Sequence, residues 1–332
     1  MKKLFIMAAA ASVTLASCVK NEPVQAPEMG EQIAFETPVL SPNTKAGVAE
    51  VPAGFDEDRD FAVWAHHTAA VWDAAKIATT AWMNNVTITK IGAEWKNATS
   101  YYWPKEGYLH FSAYSPSSVG ATISAAGISI ADYTVDEQNT QVDLMVSDRV
   151  TGKNGGSPVP VVFNHILSAI NFTAKATKAD GPDFVLTGLT VKNIKSTGDF
   201  AQGLGTTADS QMGAASAGDS KWSGHGDATD YIVTLESNIA LTSDAKYVHN
   251  GTTATDNEAT LILLPQVLDG ATVVVNYTME GVAQTTTFDI EGEWLRGYRY
   301  NYAISFGAEE ITFTPSATAW TPEAPGQAGT IN

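Results

Sequence analysis

The sequence predicts an all-β protein of the sandwich type, and three observations carry that expectation. Val, Thr, Ala, Gly and aromatic residues dominate, while apolar stripes at helical spacing are scarce. Short alternating runs recur along the chain, separated by Gly, Pro, Asn and Asp turns, a spacing that fits sandwiches better than alternating strand–helix units. With 332 residues and 44% hydrophobic side chains, there is enough apolar material for cores in two domains of ordinary size.

The start of the chain sets its destination. Lys2 and Lys3 precede an apolar run from Leu4 to Leu15, too short to remain as a membrane span. The run ends in Leu15-Ala16-Ser17-Cys18, which resembles the lipobox of bacterial lipoproteins. That resemblance implies cleavage before Cys18 and lipidation of its sulfur and amino group. More than one acyl chain is needed for stable anchoring, since each buried methylene contributes about 0.8 kcal/mol. Cys18 is the only cysteine, so no disulfide framework is available. Residues 1–17 thus read as a lipoprotein signal peptide. Residues 18–32, with Pro23 and Pro27 and no periodicity, read as a tether.

Composition excludes some functions. Acids outnumber bases 36 to 19, giving a net charge of −17, so no basic footprint for nucleic acid exists. Asp56-Glu57-Asp58-Arg59-Asp60 lacks the Gly and Glu that a calcium loop requires at its sixth and twelfth positions, which are Phe61 and His67. His66 and His67 are neighbours on an expected strand and point to opposite faces, so they cannot chelate one ion. His165 reads as a core or edge residue. Gly155-Gly156-Ser157-Pro158-Val159 lacks the closing Gly of a nucleophile elbow. No cofactor, metal or catalytic residue is expected.

The first strand is expected at 33–40, where Ile33, Phe35 and Val39 fall on one side and Pro38 confines it to an edge or an end. The Ser/Pro/Asn/Gly-rich stretch that follows places Lys45-Ala46 in a segment suited to proteolysis. A helix is expected over 69–83. Strands are expected at 61–66, 86–88, 101–103, 109–115 and 143–146. The Gly/Pro-rich run 151–160 is the clearest break and divides the expected domains, 33–155 and 156–332. Beyond it, strands are expected at 161–163, 166–173, 186–194, 231–235, 259–264, 272–278, 285–290, 298–306 and 311–320. The weakly patterned stretch 201–226 reads as a long surface loop.

Several stretches resemble the fimbrillin family of Bacteroidetes, the Mfa-like type V pilins. They are Phe163-Asn164-His165-Ile166-Leu167-Ser168-Ala169-Ile170-Asn171-Phe172, Leu264-Pro265-Gln266, Ile311-Thr312-Phe313-Thr314-Pro315 with Ala319-Trp320, and the early strand followed by Lys45-Ala46 after a lipobox. The resemblance implies two tandem transthyretin-like β-sandwich domains, export as an outer-membrane lipoprotein, and assembly into a surface fimbria by strand exchange. A protease would cut at Lys45, where the family favours Arg, and release the strand bearing Ile33, Phe35 and Val39. A neighbour's C-terminal strand would fill the vacated groove with Ile311, Phe313, Pro315, Ala317 and Ala319, which share one face of an extended segment. The implied partners are other fimbrial subunits, in homo- or heteropolymers, the outer membrane through the lipid on Cys18, and host or bacterial surface ligands. Two rival readings are a glycan-binding lipoprotein using Tyr101-Tyr102-Trp103 as a stacking platform, and a surface glycoside hydrolase.

Overall fold

The computed structural model describes residues 30–40, 55, 58–77, 81–205, 207–208, 210–253 and 259–320. The chain is built from β-sheets, as its alternation predicts. One sheet has the order Val39–Leu40, Val162–His165, Met145–Ser147, Tyr108–Ser115, Phe61–Thr68, Ala81–Ile91, Glu94–Lys96, with Val150–Gly152 also on Tyr108–Ser115. A second, of four strands, pairs Gly127–Thr134 and Thr122–Ser124 from the first half with Thr197–Ala201 and Trp222–Ser223 from the second. Two five-stranded sheets complete the C-terminal half. One runs Lys246–Tyr247, Ser168–Ala176, Tyr298–Phe306, Ile311–Ala319, with Leu261–Leu263 also on Ser168–Ala176. The other runs Ala228–Val233, Phe184–Lys195, Ala271–Met279, Val282–Ile290, with Ile239–Ala240 also on Phe184–Lys195.

Strand Phe61–Thr68 shows how the cores divide. A strand sends alternate side chains to opposite faces. Phe61, Val63 and Ala65 enter an aromatic core with Phe35, Phe55, Trp95, Trp103, Phe111 and Phe163. Ala62 and Trp64 enter a larger core shared with the C-terminal sheets. Both faces are covered, so this strand reads as an almost unbroken buried run.

Three expectations change, and one strand is added. The helix expected over 69–83 shrinks to Ala74–Ile77, and Ala81 already begins a strand, because Trp82 and Met83 extend the alternation of 81–91. The run 151–160 is not the passage between the halves. Strand Val162–His165 still pairs with Met145–Ser147 in the first sheet, so the chain passes to the C-terminal sheets between His165 and Ser168. The Gly/Pro run bends within the first sheet's edge and is stitched there by its own backbone bonds. The stretch 201–226 is not merely surface loop. Trp222–Ser223 is a strand, and Leu204, Ala208, Met212 and Ala215 are buried. Finally, Gly127–Thr134 is a strand that the turn-rich flanks concealed.

Candidate functional site

Ile33, Phe35, Pro38 and Leu40 point inward from the segment 31–40, as alternation on either side of a local irregularity requires. The segment lies between two flanks. On one, the Ile33 N–H donates to Tyr101 O (2.8 Å), the Phe35 N–H to Trp95 O (3.1 Å), and Glu31 O accepts from the Trp103 N–H (2.9 Å). On the other, the Glu36 N–H donates to Val159 O (2.9 Å), Ala34 O accepts from the Val159 N–H (2.8 Å), and the Val39 N–H donates to Val161 O (3.1 Å). The segment therefore runs parallel to 159–163 and antiparallel to 95–102, and joins the two ends of the first sheet.

Side chains hold it more firmly than the ladder does. Phe35 is 4% exposed and sits edge-on to Phe61 (5.7 Å, 89°) and Phe111 (5.9 Å, 90°). Ile33 is 4% and Leu40 7% exposed. Each such burial stabilises by roughly 1.5–3 kcal/mol. Ser157 fastens the entry: its Oγ donates to Gln32 O (2.9 Å) and accepts from Trp103 Nε1 (2.8 Å). Trp103 fits because Gly152 carries no side chain; a Cβ there would meet the indole at 2.6 Å. Phe55 closes the core from beyond the segment, stacked on Phe163 (5.2 Å, 23°) with its N–H donating to Pro38 O (3.3 Å). The expected inward face included Val39. The structure leaves Val39 half-buried and turns Leu40 inward instead, because Pro38 shifts the alternation.

The last strand, Ile311–Ala319, is embedded differently. All nine of its residues pair antiparallel with Tyr298–Phe306, and among the described residues no strand pairs on its other side. Its outer face is Thr312, Thr314, Ser316 and Thr318, all exposed. On the inner face Phe313 is half-buried, stacked on Phe288 (4.8 Å, 10°) and Tyr302 (5.2 Å, 18°), while Pro315 and Ala317 are exposed. Burial raises the Tyr302 pKa, and raises that of neighbouring Tyr300 to about 12. Beyond the strand, the Trp320 N–H donates to Gly297 O (2.8 Å) and its ring lies on His165 (4.2 Å, 8°). His165 Nδ1 is 2.9 Å from Asp143 Oδ1, and Asp143 also faces Arg59 at 3.5 Å.

The other expected site residues divide cleanly. Cys18, Lys45 and Ala46 lie outside the described residues. His66 and His67 do point apart: His66 is buried, where burial and then Arg149 lower its pKa, and His67 Nε2 is 2.8 Å from Glu106 O. Trp103 is only 2% exposed, so 101–103 is a groove wall and not a three-ring sugar platform. No group of three or more His, Cys, Asp or Glu among the described residues is placed to hold a metal, and no described helix is long and apolar enough to cross a membrane. The groove's other wall residues, Trp95, Ser157 and Val159, carry no sequence signal, because they meet 31–40 only in space.

What this arrangement offers chemically is an apolar slot that accepts an extended peptide by main-chain bonds on both sides. The model of the fimbrillin-like family matches residues 44–320. Three crystal structures are similar in fold. A fimbrial protein from Bacteroides vulgatus is 17% identical, with a TM-score of 0.55 over 79% of this chain and 93% of its own. A candidate cell adhesion protein from Bacteroides ovatus is 20% identical, with a TM-score of 0.56 over 89% and 98%. Another from Bacteroides uniformis is 16% identical, with a TM-score of 0.51 over 88% and 98%. No curated protein matches at a significant level. The alternating strands, their sheet architecture and the family match across most of the sequence together place this chain in the fimbrillin-like family.

Proposed function

We propose that the chain is a fimbrial subunit, structural or adhesive, that reaches the cell surface as an outer-membrane lipoprotein anchored through Cys18 and enters the fimbria by strand exchange. Its partners are other fimbrial subunits. The observation that carries this reading is the segment 31–40: an extended peptide filling an apolar slot, with Lys45 five residues beyond it in the chain. Cutting after Lys45 severs that segment, and the lipid upstream of it, from Ala46 and everything beyond. Once the severed segment leaves, the slot exposes Phe61, Phe111 and Phe163 together with unpaired backbone groups of 95–103 and 157–163, a template for strand addition in trans. The subunit has no catalytic role in this reading.

Limited trypsin treatment of the purified chain tests it. The large fragment should begin at Ala46 and then form multimers that the uncut chain and Lys45→Gln do not form. Cleavage that starts elsewhere, or that leaves the Ala46 fragment monomeric, overturns the reading. For the anchor, Cys18→Ala should abolish incorporation of labelled palmitate.

A further inference from the structure

The two long edges of the C-terminal sheets are protected unequally. Ile311–Ala319 and Val282–Ile290 each run nine residues, and each pairs on one side only among the described residues. Pro, Lys and bulges are devices that keep a strand edge from pairing with another chain. The first edge has Pro315, which lacks an N–H. The second has no Pro, no Lys and no bulge, and its one charge is Asp289. We propose that Val282–Ile290 pairs antiparallel with the same strand of a second copy, about a two-fold axis at Thr286. The pair needs no cut at Lys45 and uses neither the slot nor the last strand.

The hydrogen-bond phase suits this pairing. Glu280 and Gly281, at φ of 50° and 77°, form the two-residue turn that joins Ala271–Met279 to Val282–Ile290. The closing pair, Met279 with Val282, is therefore a hydrogen-bonded one, and bonded positions alternate from it. Residues 282, 284, 286, 288 and 290 bond inward to Ala271–Met279. Ala283, Thr285, Thr287 and Asp289 aim their N–H and C=O groups at the open edge. A second copy that meets these four in reverse order, 283 with 289 and 285 with 287, is bonded along the whole strand.

The side chains match in the same register. Asp289 meets the small, uncharged Ala283 and no carboxylate. Thr285 meets Thr287, a favourable cross-strand pair. On the sandwich face Val282, 60% exposed at the hairpin's tip, comes opposite Ile290. Gln284 lies opposite Phe288, whose half-buried ring stacks on Phe313 (4.8 Å, 10°). A second copy thus covers apolar surface that the lone subunit leaves open. The net charge of −17 opposes the approach of two copies, so their association should strengthen as salt is added. A two-fold pair closes at two copies, which sets it apart from the head-to-tail growth of strand exchange.

Sedimentation equilibrium of the uncut chain carrying Cys18→Ser tests the pairing, with monomer and dimer as the expected species. Ala283→Lys sets a Lys opposite Asp289 twice across the axis and should tighten the dimer about fivefold. Ala283→Glu should weaken it by about the same factor, and adding Asp289→Lys to Ala283→Glu should restore it. Both positions are exposed in the free subunit, so neither change touches its core. Thr314→Lys, the same charge on the other long edge, should shift the dimer by less than about twofold. Cys18 is the only cysteine, so Thr286→Cys in this chain is the sole thiol. It should oxidise to a linked dimer, because a non-hydrogen-bonded pair sets the two Cα atoms about 4.5 Å apart. Gln284→Cys, whose partner across the axis is Phe288, should not. A chain that stays monomeric, a dimer indifferent to the charge swap, or trapping at 284 as readily as at 286 overturns the pairing and leaves strand exchange standing. After cleavage at Lys45, chains carrying Ala283→Glu report strand exchange alone.

Discussion

The segment 31–40 and the strand Ile311–Ala319 share an Ile-x-Phe followed by Thr-Pro and are held in opposite ways. The first has few ladder pairs but sinks Ile33, Phe35 and Leu40 into an aromatic core. The second has nine consecutive pairs but leaves most of its side chains in solvent. Sequence sets what a strand can bury, and its neighbours decide what it does bury. Backbone pairing to one neighbour contributes little net stability per bond, because water offers the same bonds to the unfolded chain. Apolar burial has no such substitute. The first segment is therefore held mainly by buried side chains, and the last strand mainly by backbone pairs to one neighbour.

The largest effect should come from the buried member of the pair. Phe35→Ala in the uncut chain removes a ring from a closed pocket and should destabilise by about 3–5 kcal/mol, read as a loss in the denaturation midpoint without a change in slope. Phe313→Ala in the uncut chain removes a half-covered ring stacked on two others and should cost about 1–2 kcal/mol. Thr314→Ala, on the open face of the same strand, should stay within about 0.5 kcal/mol of the parent. Equal losses for Phe35→Ala and Phe313→Ala would break the contrast between the two regions. A large loss for Thr314→Ala would show that the open face is covered by something in solution.

Much of this contrast was legible in the sequence. The alternation of Ile33 with Phe35, and of Ile311 with Phe313, reads directly as strand, and the all-β class follows from the turn spacing. What could not be read is what meets across space. Trp103 looks like part of an exposed aromatic run until Ser157 and Gly152, some fifty residues on, make room for it. Residues 201–226 look like open loop because Gly, Ala and Ser carry no periodicity. In the structure Arg149 pins them, donating to Thr207 O (2.9 Å) while its guanidinium lies 4.0 Å from the centre of the Trp72 ring. Burial lowers its pKa to about 10. The shift of the inward face at Pro38 was equally hidden, since a bulge depends on the pairing partner and not on the strand alone.

In the proposed function, 31–40 is a replaceable plug. Native mass spectrometry of chains cut at Lys45 tests it most directly, by asking whether the N-terminal peptide stays bound. The cut monomer should retain the peptide ending at Lys45, held in the slot by Ile33, Phe35 and Leu40. Each multimer should lack it from every subunit whose slot is filled by a neighbour. Multimers that keep one N-terminal peptide for every subunit would contradict the claim, because the slot would then never have been vacated.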